Sequence, residues 1–407
     1  MLPHAAAATL PSNEMILTQC AVCATELGLT LGKKCGRCST RYCGAECQKQ
    51  HWESGGHDKI CKKIKKAGGA EQYNANQKYT AAVAVAAQAC AEDTKGQTCY
   101  ICTQALHWKT KEGLVRMCAC RGTAGFAHVS CLAEQAKILV AEAEENNWDN
   151  DRFMPRWNRW HTCGLCEQGY HGVVLCALGW ACWKTYVGRP ERHVIRSLAM
   201  SLLGNGLFIA MDFEAALTVQ EAELAMTRRF RVSEENILVV QNNLASTYTG
   251  LGREDQGLRM RQEVYSGRLK LFGESHEMTL RAAHNYANSL KNLERFEEAR
   301  SLLRKTIPVA RRVFGENDEL TIKMGWTYAE ALYKDEGATL NDLCEAVTAQ
   351  EDVERVARRV LGSAHPVVCS MEGTLREARE TLRTRETSCT CVPVPPPSSS
   401  TAGTKIK

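Results

Sequence analysis

The chain has 407 residues, a formal charge of +5 with histidine neutral, and 21 cysteines. That length accommodates about two to four domains, and so mild a charge makes no case for a nucleic-acid or membrane-surface protein. The cysteines fall into CxxC and CxC pairs within a long chain, which excludes a small secreted disulfide scaffold and implies metal binding in a reducing compartment. The first residues, Met-Leu-Pro-His-Ala-Ala-Ala-Ala, lack the basic and apolar regions of a signal peptide. The most apolar run, 173–183, is eleven residues long and too short to cross a bilayer. We therefore expect an intracellular protein, cytoplasmic or nuclear, with no membrane span.

Residues 1–18 read as a flexible leader. Residues 19–61 then carry Cys20, Cys23, Cys35, Cys38, Cys43, Cys47, His57 and Cys61, eight soft ligands and so enough for two tetrahedral zinc sites. The segment Tyr42-Cys43-Gly-Ala-Glu-Cys47-Gln48-Lys49-Gln50-His51-Trp52, followed by His57-x3-Cys61, resembles the MYND zinc finger over about 45 residues. The resemblance implies cross-bracing, with Cys20, Cys23, Cys43 and Cys47 on one zinc and Cys35, Cys38, His57 and Cys61 on the other. It implies binding of proline-containing peptides near Gln48 and Trp52, and it leaves His51 as a non-ligand on a helix face. The insertion Glu-Ser-Gly-Gly departs from the family by placing His57 five residues after Trp52.

Residues 62–96 change character. A basic run, Lys62, Lys63, Lys65 and Lys66, precedes an alanine-rich stretch, 70–92, with good helix propensity. We expect a helical linker; the run has no interleaved aromatics and reads as a solvated face, which argues against nucleic acid. Cys90 stands alone and is expected to be a small buried residue.

The second ligand series is Cys99, Cys102, Cys118, Cys120, His128, Cys131, Cys163 and Cys166, again enough for two zincs. Only one residue separates Cys118 from Cys120, and seven residues separate Cys120 from His128. With Cys120-Arg-Gly-Thr-x4-His128-x2-Cys131-Leu132, this pattern resembles RING-CH, the RING variant with cysteine fourth and histidine fifth, rather than the PHD finger. The resemblance implies Cys99, Cys102, His128 and Cys131 on one zinc and Cys118, Cys120, Cys163 and Cys166 on the other. It also implies a shallow groove for a ubiquitin-conjugating enzyme, with Ile101 on one wall and Trp160 on a second. Two departures stand out. Thirty-one residues separate Cys131 from Cys163, and Glu167-Gln168-Gly169 follows Cys166 where many ligases carry a proline and a cation. Helical spacing over 132–147 predicts a helix inside that gap. Trp148, Trp157 and Trp160, which follow, are expected to pack beside the metal core. The whole module is assigned to 97–190.

From 192 to 385 the signal is repetition. Leu271-Phe-Gly-Glu-Ser-His-Glu-Met-Thr-Leu280 recurs 42 residues later as Val313-Phe-Gly-Glu-Asn-Asp-Glu-Leu-Thr-Ile322. Small residues recur with it: Gly204, Ala245, Ala287 and Ala329, partnered by Ala216, Gly257, Ala299 and Ala346. This resembles the tetratricopeptide repeats of kinesin light chains, and it implies about four helix pairs stacked as a solenoid with a peptide-binding groove. Arg228, Arg229, Arg268, Lys270, Arg311 and Arg312 fall near the ends of second helices, where cations suit the helix dipole. Residues 386–407 read as a disordered Pro/Ser tail.

The expected fold is therefore multidomain and mainly α: two small cross-braced double-zinc modules followed by the α-solenoid. Four structural zinc ions also alter the charge. Fourteen ligand thiolates subtract fourteen charges and the zincs restore eight, taking the formal +5 to −1. Function resolves to a protein-interaction adaptor, with the RING-CH unit acting in ubiquitin transfer or the whole chain acting as a non-enzymatic scaffold. A MYND-linked lysine methyltransferase is set aside, because no SET-like Asn-His-x-Cys segment occurs. No side chain is expected to act as a covalent catalyst.

Overall fold

A computed structural model describes residues 20–23, 25, 27, 31–361 and 366–390. The leader, residues 1–18, and most of the proline-rich tail lie outside the described residues. The chain divides into two compact units, Met1–Gly257 and Leu258–Lys407, each described by itself.

The first unit opens with a two-stranded antiparallel sheet, β1 (Lys33–Lys34) and β2 (Arg41–Tyr42), in which Lys33 pairs with Tyr42. Two short helices follow, α1 (Ala45–Glu53) and α2 (His57–Lys66). In α2 the buried residues are His57, Cys61 and Ile64, successive residues one turn apart that turn a single face to the metal cluster. With so small an apolar core around Cys20, Leu27, Tyr42 and Ile64, the module depends on its clustered ligands for stability.

Helix α3 (Ala70–Ala89) is more than the linker expected from sequence. Its buried residues Ala75, Tyr79, Val83 and Ala86 join a continuous core with Val115, Phe126, Leu132 and Trp160 of the second module. The same core takes in Leu178, Trp183, Ile195, Leu203 and Ala216. The helices that follow are α4 (Val129–Glu145), α5 (Asn150–Trp157), a 3-10 turn over Asn158–Trp160, α6 (Gly172–Tyr186), α7 (Val194–Ile209), α8 (Phe213–Arg229) and α9 (Glu234–Gly250), and the five residues just named come from α6, α7 and α8. Helices α6 and α7 approach almost backbone to backbone. A Cβ on Gly179 would lie 3.1 Å from Leu203 Cα, and one on Gly206 would lie 3.0 Å from Leu175 O, so glycine is what permits the crossing. α4 occupies the start of the gap between Cys131 and Cys163.

Helix α10 (Glu254–Phe272) crosses the unit boundary. The second unit contains α11 (Glu277–Asn292), α12 (Phe296–Phe314), α13 (Glu319–Tyr333), α14 (Leu340–Leu361) and α15 (Pro366–Thr390). α15 runs five residues into the segment expected to be a tail. Consecutive helices pack as pairs about Leu280, Leu303, Met324, Leu332 and Leu343. The small residues of the repeat sit where helices meet: Ala216, Ala245, Ala287, Ala299, Ala329 and Ala346 are all 0% exposed. A Cβ on Gly204 would press Gln220 Cγ at 3.0 Å, and one on Gly257 would press Ala245 O at 3.0 Å. Arg268, near the end of its helix, is buried and donates to Met278 O at 3.0 Å. Among the described residues no helix is long and apolar enough to cross a membrane.

Candidate metal centres

One tight turn recurs through both modules. In Cys35–Thr40, Cys99–Gln104 and Cys163–Gln168 the first cysteine's amide donates to the carbonyl five residues on, at 2.8, 3.0 and 2.9 Å. The amide four residues on donates back to the first cysteine's carbonyl, and that residue is left-handed: Ser39, Thr103 and Glu167 have φ of 61°, 61° and 58°. The turn points residues i and i+3 inward together, which is what a CxxC pair needs to share one ion. Amides of Ile101 and Leu165 also donate to Cys99 Sγ and Cys163 Sγ, at 3.4 Å each, bonds that stabilise thiolate.

Four groups of ligand atoms result, each lying within 4.8 Å of one another: Cys20, Cys23, Cys43 and Cys47; Cys35, Cys38, His57 and Cys61; Cys99, Cys102, His128 and Cys131; Cys118, Cys120, Cys163 and Cys166. These are the cross-braced sets expected from sequence. A tetrahedron with arms of about 2.3 Å to sulfur has edges of about 3.8 Å, and about 3.6 Å where nitrogen replaces one sulfur. The observed sulfur separations are 3.5 Å for Cys23–Cys43, 3.9 Å for Cys35–Cys61 and 3.7 Å for Cys120–Cys163. The histidine nitrogens lie 3.4 Å from Cys38 Sγ and 3.3 Å from Cys102 Sγ. The donor sets therefore fit zinc, and every tetrahedral corner is filled by protein, which makes each site structural.

Ionisation points the same way. Burial pushes the Cys61 and Cys120 thiols up to about 11, and burial drives Cys118 and Cys131 higher still. Such thiols cannot all ionise at neutral pH without a cation among them. The two histidines differ in their ligating atom. His128 turns Nδ1 to the sulfurs while Nε2–H donates to Ala105 O at 3.4 Å, which fixes its tautomer; His57 turns Nε2 inward.

Gly125 explains the Arg-Gly-Thr-Ala-Gly spacing. Its φ is +84°, and a Cβ there would lie 2.6 Å from Cys120 Cβ and 2.9 Å from its sulfur. Upstream, the carboxylate of Glu112 accepts from Ser130 N at 2.7 Å and Ser130 Oγ at 2.8 Å. It caps α4, the helix that begins directly after His128.

The four residues singled out for partner contact fare differently. Ile101 is 37% exposed at the tip of its turn, and Trp52 is 44% exposed on α1. Gln48 is half-buried on α1. Trp160 corrects the expectation. It is 0% exposed and packs edge-on to Tyr186 at 5.7 Å, because its 3-10 turn faces inward against α6; it forms no groove wall. The residue that sequence reading missed is Leu165, 52% exposed. It holds the same place in Cys163-Gly-Leu-Cys166 as Ile101 holds in Cys99-Tyr-Ile-Cys102, so the rule that found one would have found the other. Gly164 lies near Tyr100 Oη and Gln135 Oε1, at 3.7 and 3.9 Å from its Cβ position, which sets that turn beside the first turn and α4. His51 is half-buried and not free on a helix face: its Nδ1 bonds Tyr42 Oη at 3.0 Å.

Protein-family models agree with this geometry. The MYND finger matches residues 20–61, the RING-variant domain residues 99–147 and the tetratricopeptide repeat residues 236–312. The chain carries all three. The RING-variant match stops before Cys163 and Cys166, the pair that the fold returns to the site across α4, α5 and the 3-10 turn. No curated protein matches the chain. Solved structures similar to it include two of Podosopora anserina kinesin-light-chain-type nearly identical TPR-like repeats. One is 17% identical with a TM-score of 0.39, covering 58% of this chain and 98% of that one. The other is 18% identical with a TM-score of 0.38, covering 57% and 97%. BtubC (BKLC) from P. vanneervenii is 14% identical with a TM-score of 0.38, covering 68% and 97%. With MYND, RING-variant and repeat modules in one polypeptide, the chain is a protein-interaction adaptor whose four clusters can each hold a zinc ion.

Proposed function

We propose that the sixteen clustered residues hold four structural zincs and that the RING-variant module, extended to residues 97–190, acts in ubiquitin transfer. A conjugating enzyme docks on the metal loops, while the MYND finger and the repeats of 192–385 hold substrate or partner. The chemistry is positioning: the substrate amine attacks the conjugating enzyme's thioester, the enzyme's thiol leaves, and this chain supplies orientation without a covalent step. The observation that carries the reading is the pair Ile101 and Leu165. Both are exposed, and they sit at the same position of the two CxxC turns, and Tyr100 of the first turn lies close to Gly164 of the second, its Oη 3.7 Å from the glycine's Cβ position. Exposed aliphatic side chains on rigid metal loops suit a shallow protein interface.

One observation favours a non-enzymatic scaffold. Glu167 follows Cys166, its side chain 79% exposed, and its nearest cation is Arg159 at 3.9 Å; the proline and cation of many ligases have no counterpart there. Autoubiquitination assays with a panel of conjugating enzymes decide between the readings. Chains formed by wild type, lost in Ile101→Ala or Leu165→Ala with zinc content unchanged, and lost with the metal in Cys118→Ser, support transfer. No chains with any enzyme support the scaffold.

A further inference from the structure

The turn that builds the metal loops occurs once more without ligands. His107 N donates to Glu112 O at 3.0 Å, Lys111 N donates to His107 O at 2.9 Å, and Lys111 is left-handed with φ 59°. At the positions that hold cysteines elsewhere stand His107 and Thr110. They close on each other instead of on a metal: His107 Nδ1 lies 2.8 Å from Thr110 Oγ1 and accepts from Thr110 N at 3.1 Å. Thr110 Oγ1 is also 3.1 Å from the Glu112 carboxylate, which is pinned by Ser130. His107 is buried with its ring against that of His128, centroids 5.3 Å apart. The loop is thus braced by side-chain hydrogen bonds where the other turns carry ligand pairs.

What it presents is unusual for a braced loop. The tip residue Trp108 is 68% exposed and Leu106, at the loop's entry, is 58% exposed. Leu106 also lines a 390 Å³ cleft against α3, with Ala87, Ala91, Ala105, Gly113 and Leu114 among its walls. Lys109 and Lys111 stand exposed beside the tryptophan, with no ion-pair partner among the described residues. The nearest carboxylate in sequence, Glu112, is committed to Ser130 and Thr110. A large aromatic held rigidly in solvent costs little entropy on docking and is the residue type that anchors interfaces.

We propose that the Leu106–Lys111 loop is a docking surface, separate from Ile101 and Leu165, for a polypeptide segment that offers an apolar side chain followed by carboxylates. The apolar side chain packs on Leu106 at the edge of the cleft and on the exposed Trp108 at the loop's tip, and Lys109 and Lys111 take the carboxylates. The unneutralised lysines select an acidic segment. The solvent-facing indole supplies the apolar contact, and the hydrogen-bonded His107–Thr110 pair holds the tip in place before binding.

The test is selection of a randomised displayed peptide library on the zinc-loaded full chain. Selected peptides should carry a leucine or aromatic residue followed by Asp or Glu. They should lose about 30-fold or more in affinity for Trp108→Ala, regain most of it for Trp108→Phe, and weaken for the Lys109→Gln/Lys111→Gln pair and with rising salt. Zinc content and circular dichroism should be unchanged in every variant. The proposal is overturned if no peptide is enriched, if enriched peptides lack acidic residues, or if they bind Trp108→Ala as tightly as wild type. It is overturned equally if a labelled single-stranded oligonucleotide, or a second copy of the chain in sedimentation, takes the Trp108 surface instead.

Discussion

Two residues carry tests that no neighbouring position shares. Gly125 has a backbone only glycine adopts freely and leaves no space before Cys120 Sγ. Gly125→Ala should cost the chain one zinc, the ion of Cys118, Cys120, Cys163 and Cys166, in native mass spectrometry, with the other sites retained. Glu223 is 2% exposed, and among the described residues only the Ser201 hydroxyl donates to its carboxylate. Burial raises it to about 7. A carboxyl raised in the folded state loses stability as pH rises from its unfolded value, near 4.5, through about 7. Glu223→Gln should therefore raise the melting temperature at about pH 8 by an amount worth roughly 1–3 kcal/mol, and leave it nearly unchanged near pH 4. Equal shifts at both pH values would contradict this. Every residue of the four clusters was legible in the sequence, because ligand chemistry ties residue type to spacing. Glu223 was not, since a glutamate in a repeat gives no sign that its helix will turn it inward.

Among the elements, helices and repeats were read well because periodicity is local. The small residues at intervals of 41 and 42 positions mark helix contacts, and Ala245, Ala287 and Ala329 are fully buried. Orientation was harder. Trp160, three residues before a ligand, could have faced either way; its 3-10 turn packs it on Tyr186. Trp160→Ala should cost about 3–5 kcal/mol in chemical denaturation. Ile101→Ala and Leu165→Ala, on exposed turn tips, should stay within about 0.5 kcal/mol of wild type. A reversed ranking would mean that the inward tryptophan is misplaced. The role of α3 escaped sequence reading for a related reason: its alanine-rich composition predicts a helix, yet says nothing of what the alanines pack against.

At the scale of the whole chain, metal and core are linked within the first unit. The core that contains Val115, Phe126 and Trp160 continues into α3, α6, α7 and α8, whereas the second unit has its own clusters. Chelating the zinc should therefore expose the amides of both metal modules to hydrogen exchange and also weaken protection in α3 and α6. Helices α11 to α14 should keep theirs. Loss of protection confined to the ligand loops would contradict a shared core.

The most direct measurement is single-turnover discharge of ubiquitin from preloaded conjugating enzymes to free lysine. With the four-zinc chain, at least one enzyme should discharge faster than alone, and that acceleration should vanish in Ile101→Ala and in Leu165→Ala with all four zincs retained. No acceleration by any enzyme, or acceleration unchanged in both variants, would contradict a role for these turns in ubiquitin transfer.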